Sequence, residues 1–250
     1  YKPEKIKGDI LFENVRFSYR PGKPVLNGIS FHIPAGRTMA IAGHTGAGKT
    51  SIINILNRMY EIEGGSIRID GRDLYEYDIY SLRKHIGIVL QDVFLFSGTV
   101  HDNITLRDPD ISRQQVEDIC RLLELHEFIL QLPGGYDFDV MERGNTLSQG
   151  QRQLISFARV LLFNPSILVL DEATSSVDSE SEQLIQQAID TLIKGRTSII
   201  IAHRLSTIRK ADQIIVMDQG HIAESGDHDT LVAHRGVYYQ LLSKAKEKII

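Results

Sequence analysis

Short apolar runs recur along the chain with two different spacings. Between Ile10 and Ala42 they form β-like segments, ILFENVRFSY, PVLNGISFHI and TMAIAG, punctuated by Pro21-Gly22 and Pro34-Ala35-Gly36. TSIINILNRMY then takes helical spacing, which puts Ile52, Ile55, Leu56 and Met59 on one face. SIRIDGRDL predicts a hairpin, because Asp70-Gly71 favours a tight turn. From about Asp78 to Asn164 helical periodicity dominates, notably over 112–130 and 151–163, with few β runs beyond GIVL. Pro165 stops the last of these helices. The final third alternates strand ILVLD, a helix over 179–193, strand SIIIAH, a helical 205–210 and strand QIIVMD. Ser179 with Glu182 fits a capping box, and Gly195 sits where a C-terminal cap would fall.

Continuous apolar strands between helices predict a parallel sheet covered on both faces, hence an α/β fold. Residues 1–9 hold lysines and a proline and read as a linker before a domain spanning 10–250. With 250 residues and 42% hydrophobic content, the chain can bury a sizeable core. A net charge of −4 offers no electrostatic footprint for nucleic acid, so no nucleic-acid partner is expected. The single cysteine, Cys120, has no internal partner and lies in a helical segment, which suggests a buried thiol in a reducing compartment. The longest apolar runs fall far short of the ~20 residues of a membrane-spanning helix. The N-terminus YKPEKIKGDI shows no signal peptide, so the piece is expected to be soluble.

Two motifs carry the chemistry. Gly43-His44-Thr45-Gly46-Ala47-Gly48-Lys49-Thr50 satisfies GxxxxGK[ST] between the strand-like MAIA and a helix, the context a phosphate-binding loop requires. Its glycines let backbone N–H groups wrap around phosphates, and the helix N-terminus adds about half a positive charge. Lys49 can bridge the β- and γ-phosphates of ATP, the Thr50 hydroxyl can ligate Mg²⁺, and Ser51 extends the loop. In ILVLDEAT, Asp171 ends a strand at the sheet edge where ligands of open α/β sheets bind. Asp171 suits Mg²⁺ binding, direct or through water, and Glu172 suits polarising the attacking water. Together these motifs mark a P-loop NTPase.

Leu147-Ser148-Gln149-Gly150-Gln151 resembles LSGGQ, the signature of ATP-binding cassette (ABC) proteins, and the resemblance extends from Asp9 onward. Ser148 and the N–H groups of this helix start can cap a second phosphate. Gln149 stands where the family has a glycine. The resemblance implies a P-loop NTPase core with a mostly parallel sheet, an N-terminal antiparallel β subdomain and a helical signature subdomain over about 78–164. It further implies that Tyr19 stacks on adenine, that Gln91 senses Mg²⁺, that Asp178 lies in the loop crossing between two nucleotide sites, and that His203 contacts the γ-phosphate. QDVFLFSGTVHDNI and Glu142-Arg143-Gly144 resemble exporter segments, although Met141 stands where the family usually has glycine. An exporter nucleotide-binding domain is therefore expected at the cytoplasmic face of the cell membrane. Its cofactors would be ATP and Mg²⁺, and its partners a second such domain and an upstream transmembrane domain. ATP would lie between the glycine loop of one copy and the signature of the other. An importer's ATPase subunit, a soluble ABC ATPase and a non-catalytic regulatory half remain as alternatives.

Overall fold

The computed structural model describes residues 1–171, 179–201 and 205–247. In chain order the elements are β1 (Ile10–Arg20), β2 (Lys23–Ile33), β3 (Thr38–Gly43), α1 (Lys49–Leu56), β4 (Gly64–Ile69), β5 (Arg72–Asp73), α2 (Ile79–Lys84) and β6 (Ile86–Val89). The helices α3 (Val100–Thr105), α4 (Arg113–Leu122), α5 (His126–Gln131) and α6 (Gln149–Leu162) follow. The chain continues with β7 (Ile167–Asp171), α7 (Ser179–Ile193), β8 (Thr197–Ile201), α8 (Leu205–Arg209) and β9 (Gln213–Asp218). It ends with β10 (His221–Gly226), α9 (His228–His234) and α10 (Val237–Glu247). Two compact units share them: Tyr1–Ile86 with Ser166–Glu172 and Gly195–Ile250, and Gly87–Pro165 with Ala173–Lys194.

The first unit contains two sheets. One is antiparallel in the order β2-β1-β4-β5. Strand β1 buries Ile10 and Phe12, then Val15 and Phe17, so its two-residue period slips by one midway. Asn14, at φ 49°, absorbs the extra residue as a bulge, and the apolar side chains return to the same face. Across from the bulge Gly65 is required, because a Cβ there would stand 2.3 Å from the Asn14 carbonyl oxygen. The expected hairpin joins β4 to β5 with Asp70 and Gly71 both left-handed, which is the tight turn that the dipeptide predicts.

The other sheet runs β10-β9-β3-β8-β7, with β3, β7, β8 and β9 parallel. Strands β7 and β8 are buried at every position, as their unbroken apolar runs require. The expected α/β class therefore holds. Strand β10 is an addition to the sequence reading: it pairs antiparallel with β9 at the edge, and its alternating half-exposed HIAESG leaves no apolar run to notice. Helix α1 stops at Leu56, and Arg58 turns left-handed, so Met59 leaves the apolar face expected for it and is 56% exposed.

The second unit is mainly helical. The expected helix over 112–130 divides into α4 and α5, because Glu124 takes φ 59° while Leu123 and Leu125 beside it are buried. Ser112 caps α4 in a reciprocal capping box with Gln115, and Val116 and Cys120 supply its buried face. Burial pushes the Cys120 thiol up to about 11, so it stays protonated as an apolar packing group. The capping box expected at Ser179 and Glu182 lies outside the described side chains.

Residues 1–9, expected as a linker, are packed onto the first unit. The Asp70 carboxylate accepts hydrogen bonds from the N–H groups of Lys7, Gly8 and Asp9 at 2.7, 3.0 and 2.9 Å. Ile6 is buried, and the Tyr1 ring meets Tyr77 edge-on at 5.3 Å beneath the Arg72 guanidinium. Gly8, at φ 88°, passes so close to β8 that a Cβ would lie 2.8 Å from Thr197 Oγ1. Asp70→Gly keeps the left-handed turn and removes the carboxylate. The strap should lose about 1–3 kcal/mol of local stability, the usual worth of hydrogen bonds to a charged group. Trypsin should then cut after Lys5 and Lys7 several-fold faster, while the global melting transition moves little. Cleavage at the unchanged rate would show that Asp70 does not hold the segment.

Candidate functional site

In the first unit, β3 delivers the chain into the loop 43–48, and α1 carries it away. The loop's conformation explains its glycines. Gly43 lies at φ 142°, where a Cβ would approach the Met217 carbonyl oxygen to 2.3 Å, so the loop root must sit directly on β9. Gly48, at φ 101°, is the residue before α1, and a Cβ there would meet Leu26 Cδ2 at 2.8 Å. His44, Thr45, Gly46 and Thr50 remain exposed around the loop, while Ala47 and Ser51 are buried beneath it. The glycines thus let the loop lie directly against β9 and β2 while its tip at 44–46 stays exposed at the start of α1, a cradle that fits a phosphate chain.

Lys49 lies inside this loop, 8% exposed. Its ammonium donates to the carbonyl oxygens of Gly43 at 2.8 Å and His44 at 3.0 Å. Burial lowers its pKa from the ordinary lysine value, and the Asp171 carboxylate at the end of β7 partly offsets that shift. Asp171 is itself buried and pairs in register with Ile201 of β8. A cation on the loop that follows β3 and an acid at the C-terminal end of β7 are therefore held on the same edge of the parallel sheet, with β8 between those two strands and the exposed Thr50 hydroxyl at the first turn of α1. This donor set fits a nucleotide phosphate with its divalent ion: oxygen ligands for the metal, and an ammonium and N–H groups for the anion.

Tyr19 projects from the end of β1, 45% exposed. Its hydroxyl lies 3.1 Å from Ser51 Oγ and accepts from Asn54 Nδ2 at 2.9 Å, so β1 is tied to α1 just behind the loop. The ring meets Tyr60 nearly perpendicularly at 4.9 Å. Asn54 and Tyr60 have no motif to mark them. Only the fold brings them to Tyr19.

The second unit holds the other described candidates. Gln91 is exposed there and is not gathered with the loop within one unit. Ser148 caps α6: its hydroxyl accepts from the Gln151 N–H at 3.2 Å, and Gln151 Oε1 accepts from the Ser148 N–H at 2.9 Å. The S-x-x-Q spacing, which could have predicted this capping box, is embedded in the signature itself. Gly150 is buried and Gln149 half-buried in the first turn. Arg152 fixes the approach, donating to the carbonyl oxygens of Leu147 at 2.6 Å and Gly144 at 3.3 Å. Met141 occupies φ 58°, ψ −171°, a region that essentially only glycine visits, at a cost of about 1–3 kcal/mol. That is the physical content of its departure from the family's glycine. Glu172, Asp178 and His203 lie outside the described residues.

Comparison with known proteins agrees with this architecture. The ABC transporter family model matches residues 26–175. The chain is 53% identical over 239 residues to the Bacillus subtilis (strain 168) protein named uncharacterized ABC transporter ATP-binding protein YknV, covering 96% of this chain and 40% of that one. It is 48% identical over 241 residues to the ATP-dependent lipid A-core flippase of Escherichia coli (strain K12), covering 95% and 41% respectively. A solved bacterial Atm1-family ABC exporter with ATP bound superposes with a TM-score of 0.89 at 39% identity, covering 98% of this chain and 44% of that one. The chain thus spans about two fifths of the length of the curated relatives it matches.

The lowered Lys49 pKa has a measurable consequence. A polyanion beside the ammonium raises its pKa again, so binding must take up protons at alkaline pH, between the lowered value and the ordinary lysine range. Affinity should fall as pH rises through that window. The folded, ligand-free protein should gain stability there, because the unfolded chain binds more protons. Calorimetric titration with ATP at alkaline pH values below the ordinary lysine range, in buffers of different ionisation enthalpy, measures the uptake. Wild type should show a buffer-dependent enthalpy that Lys49→Met reduces. An enthalpy that is the same in every buffer would contradict this account of Lys49.

Proposed function

The chain belongs to the ABC transporter family, and from that premise we propose that it is the ATP-binding and ATP-hydrolysing domain that powers an exporter. The observation that carries this reading is the cradle of Gly43–Thr50 with Lys49 buried in it beside Asp171. Kinship to a lipid A-core flippase and to an Atm1-family exporter supports the direction of transport. Among the described residues no helix is long and apolar enough to cross a membrane. The membrane-spanning part is therefore proposed to lie in the three fifths of the relatives' length that this chain does not cover, with this domain at the cytoplasmic face.

Each residue then has a role. The loop N–H groups and Lys49 hold the phosphates of ATP, and Tyr19 offers its ring to the adenine. Thr50, Asp171 and Gln91 are the proposed ligands of Mg²⁺, which when bound neutralises charge developing on the phosphate oxygens. Glu172 orients and deprotonates the attacking water, and His203 contacts the transferred phosphate. Ser148, Gln149, Gly150 and Gln151 serve a nucleotide held by a second copy, with Asp178 in the loop that crosses between the two sites. The Ser148 capping box supports this role, because it engages the Ser148 and Gln151 N–H groups and holds the first turn of α6 in one conformation, leaving those of Gln149 and Gly150 without an intrahelical acceptor.

A composite site of this kind is testable by mixing. Glu172→Gln should cut turnover by ~10²-fold or more while ATP affinity is largely kept. Ser148→Arg should block hydrolysis by putting a long side chain at the helix start. Combining the two inactive proteins restores one site with an intact Glu172 and an intact Ser148, so part of the activity should return. At dilutions well below the dimer dissociation constant, wild-type rate should rise with about the square of protein concentration. Linear dependence with no rescue would show that a single chain hydrolyses ATP alone.

A further inference from the structure

We propose that Asn54 is a positioning residue for nucleotide recognition: its amide holds the Tyr19 ring at a fixed angle to the phosphate loop. The inference rests on the reading of Tyr19 as the base platform. Three constraints converge on that ring. At its tip, the hydroxyl accepts from Asn54 Nδ2 at 2.9 Å and lies 3.1 Å from Ser51 Oγ. At its sides, Phe17 meets it edge-on at 4.7 Å and 80°, and Tyr60 at 4.9 Å and 88°. Phe17 is buried, whereas Tyr60 is 46% exposed, so the pair of tyrosines forms an open corner of two nearly perpendicular rings.

The anchoring residues belong to α1, whose first residues are the end of the phosphate loop itself. Ser51 follows Thr50 directly, and its N–H donates to the Gly48 carbonyl at 3.1 Å. One turn later, Asn54 also receives the Met59 N–H on its backbone carbonyl at 2.9 Å, which folds the chain back after α1 and brings Tyr60 to Tyr19. One short helix therefore sets the phosphate cradle, the tip of the platform and the second ring. A surface tyrosine at the end of a strand would otherwise sample several rotamers, and a base stacking on it would bear the cost of fixing one of them. The Asn54 amide meets that cost in the free protein.

Affinities for ATP and for inorganic triphosphate separate base from phosphate recognition. Asn54→Leu keeps the size of the side chain and its helical backbone but removes the donor, and Tyr19→Phe keeps the stacking ring but removes the acceptor. Each should weaken ATP binding by about three- to tenfold, the worth of one hydrogen bond. The double variant should be no weaker than Tyr19→Phe alone, since loss of the hydroxyl already breaks the Asn54 bond along with the Ser51 contact. In Asn54→Leu, affinity for inorganic triphosphate and kcat at saturating ATP should be unchanged, and the KM for ATP should rise. The positioning role is overturned by wild-type ATP affinity in Asn54→Leu, by additive losses in the double variant, or by an equal loss of triphosphate affinity. Tyr19→Ala, which removes the ring, separates the two levels. If it weakens ATP binding tenfold or more while Asn54→Leu and Tyr19→Phe do not, only the positioning role falls. If it too binds ATP normally, the base platform lies elsewhere and both ideas fall together.

Discussion

A buried lysine ammonium is the constraint around which the first unit is arranged. Charge in an apolar interior is tolerated only when it is paired and hydrogen-bonded. Lys49 meets this condition with two loop carbonyl oxygens and the nearby carboxylate of Asp171. Satisfying it demands that β3 and β7 end close together, which a parallel sheet ordered β9-β3-β8-β7 provides. It also demands a loop that turns the Gly43 and His44 carbonyl oxygens toward the ammonium, and the left-handed Gly43, Gly46 and Gly48 shape that path. Burial lowers the lysine's pKa in the free protein, so an anion placed beside it would favour its charged form.

The antiparallel sheet serves the same end from another direction. The Asn14 bulge keeps β1 apolar on one face along its whole length, which carries Tyr19 to the start of α1. Gly43 and Gly48 share a second purpose: a Cβ at Gly43 would strike β9 and one at Gly48 would strike β2, so both sheets approach the loop closely. In the second unit a different economy operates. Ser148, Gln151 and Arg152 fix the first turn of α6 by side-chain to backbone bonds, while the strained Met141 enters the turn ahead of it.

Much of this could be read directly from the residues. Strands β3, β7, β8 and β9 are unbroken apolar runs because they are buried on both faces, and the phosphate loop is contiguous, so its spacing alone identifies it. Features built from distant residues could not be read. Asp70 reaches Asp9 across 61 positions, so the lysines and proline of 1–9 read as a linker without any sign of the bonds that tie it down. Asn54 reaches Tyr19 across 35, and a half-buried amide on a helix carries no mark of its role. Local backbone choices were hidden as well. The left-handed Glu124 divides a helix whose periodicity runs on, and Arg58 releases Met59 from a face it matches. Strand β10 pairs at an edge, where half-exposure removes the apolar signal.

The central claim is that the backbone N–H groups of 45–50 surround a nucleotide phosphate with Lys49 among them. Amide chemical shifts of isotopically labelled protein, followed while Mg²⁺ and ATP are added, test it most directly. The account predicts that the largest shift changes fall on the amides of Gly46, Ala47, Gly48, Lys49 and Thr50, and that Lys49→Met greatly reduces them at equal ATP. Saturating ATP that leaves these amides unmoved, or that moves a set elsewhere in the chain instead, would contradict it.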